Sequence, residues 1–142
     1  MFLGRYYHSL EGKGRLAIPV SFRKLLGKSP ILTRGLDSCL YLLPSKSWTK
    51  LIADLHTSPL ANTDTRTLTR LLSHNAQVVS FDAQGRALLN PDLRDFAGLT
   101  KNVVVAGSLT WVEIWDQSRY HAHLNNAQNQ INQIAERINR VR

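Results

Sequence analysis

Apolar and polar positions alternate along this chain in short blocks, which predicts short strands and short helices. FLGRYYHSL (2–10) and RLAIPV (15–20) mix aromatic and β-preferring residues and read as two strands, with the glycine-bearing EGKG as the turn between them. SFRKLLG then predicts one or two turns of helix, with Phe22, Leu25 and Leu26 on one side. Two strands follow, near 31–34 and 39–43. Next, SKSWTKLIADL (45–55) sets Leu51, Ile52 and Leu55 at helical spacing behind a serine cap. HTSPLA reads as a turn, and a second helix at about 63–73 carries Leu68, Leu71 and Leu72 on one face. Further strands are predicted near 103–106 and 111–115. The tail after Trp115 is helical, with Asp116 or Ser118 as its cap. Leu124, Ala127, Ile131, Ile134, Ile138 and Val141 occupy a and d heptad positions there. Such a seam packs either onto the chain's own barrel and helices or against a neighbouring subunit.

The pattern occurs twice. LEGKGRLAIPVSFRKLLG (10–27) aligns with FDAQGRALLNPDLRDFAG (81–98) at an offset of 71, and ILTRGLDSCLYLLP (31–44) with VVVAGSLTWVEIWD (103–116) at an offset of 72. Each copy is strand, turn, strand, short helix, strand, turn, strand. In the second copy Asn90 suits a helix cap, Pro91 the first helical position and Gly98 the position past the end. Four short strands cannot bury both faces alone. Two copies can close into a small barrel, which also removes exposed sheet edges. The expected architecture is therefore mixed α+β and β-rich. A first repeat spans 5–47, a helical connector 48–75, a second repeat 76–119 and a C-terminal helix 120–142.

Composition adds the partner class. The 142 residues carry a formal net charge of +8 and 43% hydrophobic residues. Nine Lys and Arg face two Asp and Glu in residues 1–50, four face five in 51–100, and five face three in 101–142. The positive field thus belongs to the first repeat, and a basic domain points to a polyanion, with nucleic acid the first candidate. No stretch approaches the ~20 apolar residues of a membrane span, and the N-terminus lacks the order of a signal peptide, so a cytoplasmic chain is expected. A single cysteine, Cys39, excludes an internal disulfide and reads as a small core residue.

Both copies keep an acidic residue four positions before an arginine, with glycine just before it: Glu11-Gly12-Lys13-Gly14-Arg15 and Asp82-Ala83-Gln84-Gly85-Arg86. One reading is a turn closed by the acid and paired to the arginine on the emerging strand. The other is a guanidinium aimed past a sheet, with one edge oriented by the carboxylate and the other facing a phosphate or a base. The two are compatible. Lys13 at the first tip adds charge and Gln84 at the second adds none, so the first motif is expected to dominate electrostatic attraction. Arg5 and Lys13 are expected to draw in the phosphate backbone, while Arg15 and Arg86 enter a groove.

The doubled motif, the FLG start, the GLT after the second short helix and the EIWD strand end resemble the MraZ family of bacterial transcriptional regulators. The resemblance covers nearly the whole chain and implies two AbrB/SpoVT-like swapped-hairpin half-domains. It further implies a sequence-specific, double-stranded DNA-binding protein that assembles as a ring-like homo-oligomer. It would act on tandem promoter repeats of the division and cell-wall gene cluster, as a cytoplasmic, nucleoid-associated protein. Carried over, the motif residues are Glu11 and Arg15, then Asp82 and Arg86, with Lys13 matching the lysine common in the first motif. Glu11 departs from the usual aspartate, which bears on the geometry of the first turn.

Other chemistries have little to stand on. His8, His56, His74, His121 and His123 are scattered, and His121 and His123, two apart on a helix, point in different directions, so no metal site is expected. Gly12-x-Gly14 lacks both the P-loop ending and a dinucleotide fingerprint. Without a recognisable catalytic group, an enzyme, a cofactor or a small-molecule substrate is not expected. Trp48, Trp111 and Trp115 sit in apolar segments and read as packing residues. The reading from a different class is an assembly protein with no specific DNA target, motivated by the heptad tail.

Overall fold

The computed structural model describes residues 1–57 and 62–141, Val141 by its backbone only. Most of the turn expected at 56–61, the seam's Val141 side chain and Arg142 therefore lie outside the described residues. In chain order the elements are β1 (Arg5–Ser9), a 3₁₀ turn (Gly12–Gly14), β2 (Arg15–Ala17), α1 (Val20–Leu26), β3 (Ile31–Arg34), β4 (Leu40–Leu43), α2 (Ser45–His56) and α3 (Thr63–His74). Then come β5 (Gln77–Val78), β6 (Arg86–Leu88), α4 (Pro91–Ala97), β7 (Asn102–Gly107), β8 (Val112–Asp116), α5 (Gln117–Gln128) and α6 (Ile131–Val141).

The fold is mixed α+β, and its symmetry is that of the sequence. Six strands form an antiparallel sheet in the order β1-β7-β8-β4-β3-β5, and β2 and β6 form a separate ribbon. The repeat offsets map β3 onto β7 and β4 onto β8, so a pseudo-two-fold axis runs between β4 and β8. The repeats do not lie side by side. β1 of the first pairs with β7 of the second, and β5 of the second with β3 of the first. The closed barrel expected from the sequence is not formed. Among the described residues β1 and β5 remain sheet edges, because β2 and β6, three residues each, pair with one another instead of bridging them.

Burial follows strand alternation. Leu16, Leu32, Leu40, Leu42, Val103, Val105, Val112 and Ile114 are fully buried in one core with Phe22, Leu26, Leu89 and Leu93 from the α1 and α4 regions. The opposite face of the sheet holds Cys39, Val104, Ala106 and Trp115, covered by Tyr120 of α5. Cys39 is thus the small core residue expected, and burial pushes its thiol pKa up. Trp115 is buried, and Glu113 accepts hydrogen bonds from the indoles of both Trp111 and Trp115.

Two helix starts in the second half of the chain follow the expected local chemistry, whereas α1 and α2 begin at prolines without a side-chain cap. Asn90 Oδ1 accepts from the Leu93 amide, Pro91 opens α4, and Gly98 ends it in the left-handed region. Asp116 caps α5 through the Arg119 amide. The expected serine cap of α2 is absent: Pro44 holds the cap position, and the Ser45 hydroxyl donates instead to the Ser29 carbonyl. The tail is not one helix. Asn129 and Gln130 separate α5 from α6, and Ile131 and Ile138 of the heptad seam are 62% and 55% exposed, so they are not packed on the chain's own core.

Asp116 joins the two elements at the end of the second repeat. Burial raises its pKa, but hydrogen bonds from the Thr100 hydroxyl and amide and from the Arg119 and Ser118 amides outweigh that, and the net shift is downward. A carboxylate held below its ordinary value stabilises the fold above about pH 4 and loses that contribution on acidification. Removing the cap with Asp116→Ala should cost about 1 kcal/mol in denaturant unfolding at neutral pH. Asp116→Asn should flatten the loss of stability between neutral pH and pH 3.

Candidate nucleic-acid interface

The ribbon brings the two motifs together. Arg15 pairs with Leu88, Leu16 with Ala87 and Ala17 with Arg86, so the pseudo-axis passes through the Leu16–Ala87 pair. These two residues are completely buried. By the period of two, Arg15, Ala17, Arg86 and Leu88 share the opposite face, and the two arginines stand at diagonal corners of it. A turn precedes each. The Glu11 amide donates to the Arg15 carbonyl and the Gly14 amide to the Glu11 carbonyl, and the Asp82, Arg86 and Gly85 positions repeat both bonds. Across the axis, the Ile18 amide donates to the Gly85 carbonyl and the Leu89 amide to the Gly14 carbonyl.

Each turn is also covered by the other repeat. Gly14 and Gly85 have φ values of +82° and +76°, and a Cβ on either would meet a guanidinium: Arg94 of α4 at 2.8 Å over Gly14, Arg23 of α1 at 2.5 Å over Gly85. Arg23 Nε also donates to the Ile18 carbonyl, whereas the buried Arg94 Nε has no hydrogen-bond partner among the described residues. These two arginines were visible in the repeat as matched positions. Their role was not, because it depends on a contact between halves that an alignment within one half does not show.

The side chains of the motifs break the symmetry. Asp82 closes its own turn: Oδ1 accepts from the Gln84 and Arg86 amides, and Oδ2 from Arg86 Nε at 2.9 Å. Glu11 does not repeat this. Its carboxylate reaches across the ribbon and accepts from Arg86 Nη1. An extra methylene makes the tight ring of an aspartate turn unfavourable and extends the reach of the acid. Arg86 is therefore held by two carboxylates, and Arg15, half-buried, has neither an ion pair nor a side-chain hydrogen bond among the described residues. Bonding to Glu11 and then to Asp82 raises the pKa of Arg86, and the Arg86 amide first among several donors lowers that of Asp82.

The remaining two candidates lie nearby in sequence but differ in constraint. Lys13 is exposed at the tip of the first turn, with φ +68°, in the left-handed region that a non-glycine residue seldom adopts. Arg5 on β1 donates to the Tyr120 hydroxyl at 3.4 Å and lies 5.8 Å from the centroid of that ring. That bond raises the Arg5 pKa. His121 stacks on Tyr7 and His123 packs on Trp115, so the two histidines do face different neighbours.

The comparisons agree with this doubled construction. The family described as "MraZ protein, putative antitoxin-like" matches the chain twice, over residues 1–71 and 72–141. Among curated proteins the chain is 41% identical over 138 residues to the "Transcriptional regulator MraZ" of Carboxydothermus hydrogenoformans, covering 97% of this chain and 96% of that one. It is 40% identical over 141 residues to the protein of that name from Clostridium tetani, covering 99% of each. A third protein of that name, from Moorella thermoacetica, is 39% identical over 138 residues, covering 97% and 96%. The chain belongs to the MraZ family.

Proposed function

We propose that this protein is a transcriptional regulator that binds double-stranded DNA sequence-specifically through the outer face of the β2–β6 ribbon. The observation that carries this reading is the Arg15 guanidinium, without an ion pair among the described residues, at one corner of a two-stranded ribbon. The major groove admits such a ribbon, and arginine bound to guanine discriminates bases by about 1–3 kcal/mol. Arg15 is the reading residue. Arg86, held by Glu11 and Asp82, presents a fixed edge and contacts DNA more weakly. Lys13 and Arg5 supply attraction to phosphate. Glu11 acts through Arg86 rather than through the arginine of its own motif.

One ribbon covers little DNA. Copies of the chain bound side by side on tandem promoter repeats gain avidity from each added contact. The exposed Ile131 and Ile138 of α6 fit self-association, as a homo-oligomer whose ring form and target, the division and cell-wall gene cluster, are taken from the family resemblance. Double-stranded DNA and further copies of this chain are then the partners. A protein acting this way works in the cytoplasm at the nucleoid, and no helix among the described residues is long and apolar enough to cross a membrane.

The test is the affinity ratio between the chain's own upstream DNA and scrambled DNA of equal length at physiological salt, since basic proteins bind any DNA at low salt. Arg15→Ala should bring that ratio close to one without lowering the melting temperature, because no carboxylate loses its partner. Arg86→Ala should lower the melting temperature, because Glu11 and Asp82 are left facing each other. A wild-type ratio near one would favour the assembly protein with no specific target. Self-association has its own readout: Ile131→Asp with Ile138→Asp should lower the mass seen by light scattering while the circular dichroism of the sheet is kept.

A further inference from the structure

The second turn lacks positive charge of its own. Its tip is Gln84, and its arginine is matched against two carboxylates. Beside it lies a groove of about 480 Å³, lined by Val20, Arg23 and Lys24 along α1, by Gly27 and Lys28 just past its end, and by Ser80 and Phe81, the two residues before Asp82. Arg23 is the side chain that rests on Gly85 of that turn. Lys24 and Lys28 are exposed and have no ion pair among the described residues.

The repeat supplies a built-in comparison. At an offset of 71, Lys24 corresponds to Asp95 and Lys28 to Leu99. The matched positions beside the first turn are therefore without these two cations; the exposed lysine there is a single one, Lys101, whose carbonyl accepts from the Leu10 amide. Cations near a helix C-terminus do complement its dipole. That explanation predicts them on both short helices, and α4 carries Asp95 where α1 carries Lys24. The lysine pair at 24 and 28 thus has no counterpart at 95 and 99, and it lies beside the turn whose own charge is cancelled.

We propose that this groove is a second contact for the DNA phosphate backbone, in which Lys24 and Lys28 of the first repeat supply the charge missing from the turn of the second. The inference rests on the DNA-binding reading above and adds to it a sequence-independent contact. Each turn is then served by cations of the first repeat: the first by Lys13 at its tip, the second by α1 packed across the axis.

The experiment measures affinity of the full chain for its own upstream duplex and for scrambled duplex over a range of salt. Lys24→Ala with Lys28→Ala should weaken binding to both duplexes alike and leave their ratio within about twofold. It should lower the slope of log affinity against log salt by about two, roughly one for each phosphate that is no longer neutralised. Lys46→Ala with Lys50→Ala, exposed lysines of α2 outside the groove, should leave the slope as in wild type. A wild-type slope and affinity in the Lys24 and Lys28 variant would overturn the groove contact. The DNA reading would survive that result if wild type still preferred its own duplex. It would fall separately if wild type showed no preference.

Discussion

Pairing of β2 with β6 is the constraint on which the site depends. Three residues from each repeat form the ribbon, and the completely buried Leu16 and Ala87 at its centre tie it to the core. Everything on the outer face follows from that pair. A shift of register by one residue would turn the arginine of the slipped strand inward, since successive strand residues face opposite sides. The contacts across the axis, Ile18 to Gly85 and Leu89 to Gly14, extend the pairing to the turns themselves.

On this symmetric base the side chains are unequal. One methylene at position 11 decides which arginine is free. An aspartate, as at position 82, is engaged by its own turn, and a glutamate reaches the arginine opposite. The result gathers both acids around Arg86 and leaves Arg15 without a carboxylate partner among the described residues. The unequal charge of the repeats has the same direction, with Lys13 at one tip and the neutral Gln84 at the other.

The repeat, the strand and helix order of each copy and the α4 cap were legible because they rest on local chemistry: period, glycine position, Asn90 before Pro91. The motif residues were legible for the same reason, and the family followed from their doubling. What could not be read is everything that passes between the halves. The expected barrel failed because pairing partners are chosen over long separations, and β2 took β6 rather than an edge strand. Glu11 was expected to orient Arg15, yet its carboxylate crosses to Arg86, because side-chain reach matters only once the ribbon is assembled. The heptad of the tail suggested a continuous helix, but it could not show the break at Asn129 and Gln130, where polar residues give no packing to hold the turn.

The crossing arginines also set an order of events during synthesis. Gly14 is covered by Arg94, and Arg15 pairs opposite Leu88, so the first turn has no scaffold until more than half of the chain has been made. At roughly 5–20 residues per second, that leaves several seconds in which the most basic part of the nascent chain is exposed without its shape. Fragments that end before the second repeat carry Arg15 but lack the strand and the arginine that hold its turn. An interrupted translation product would therefore present the first motif without its folded geometry.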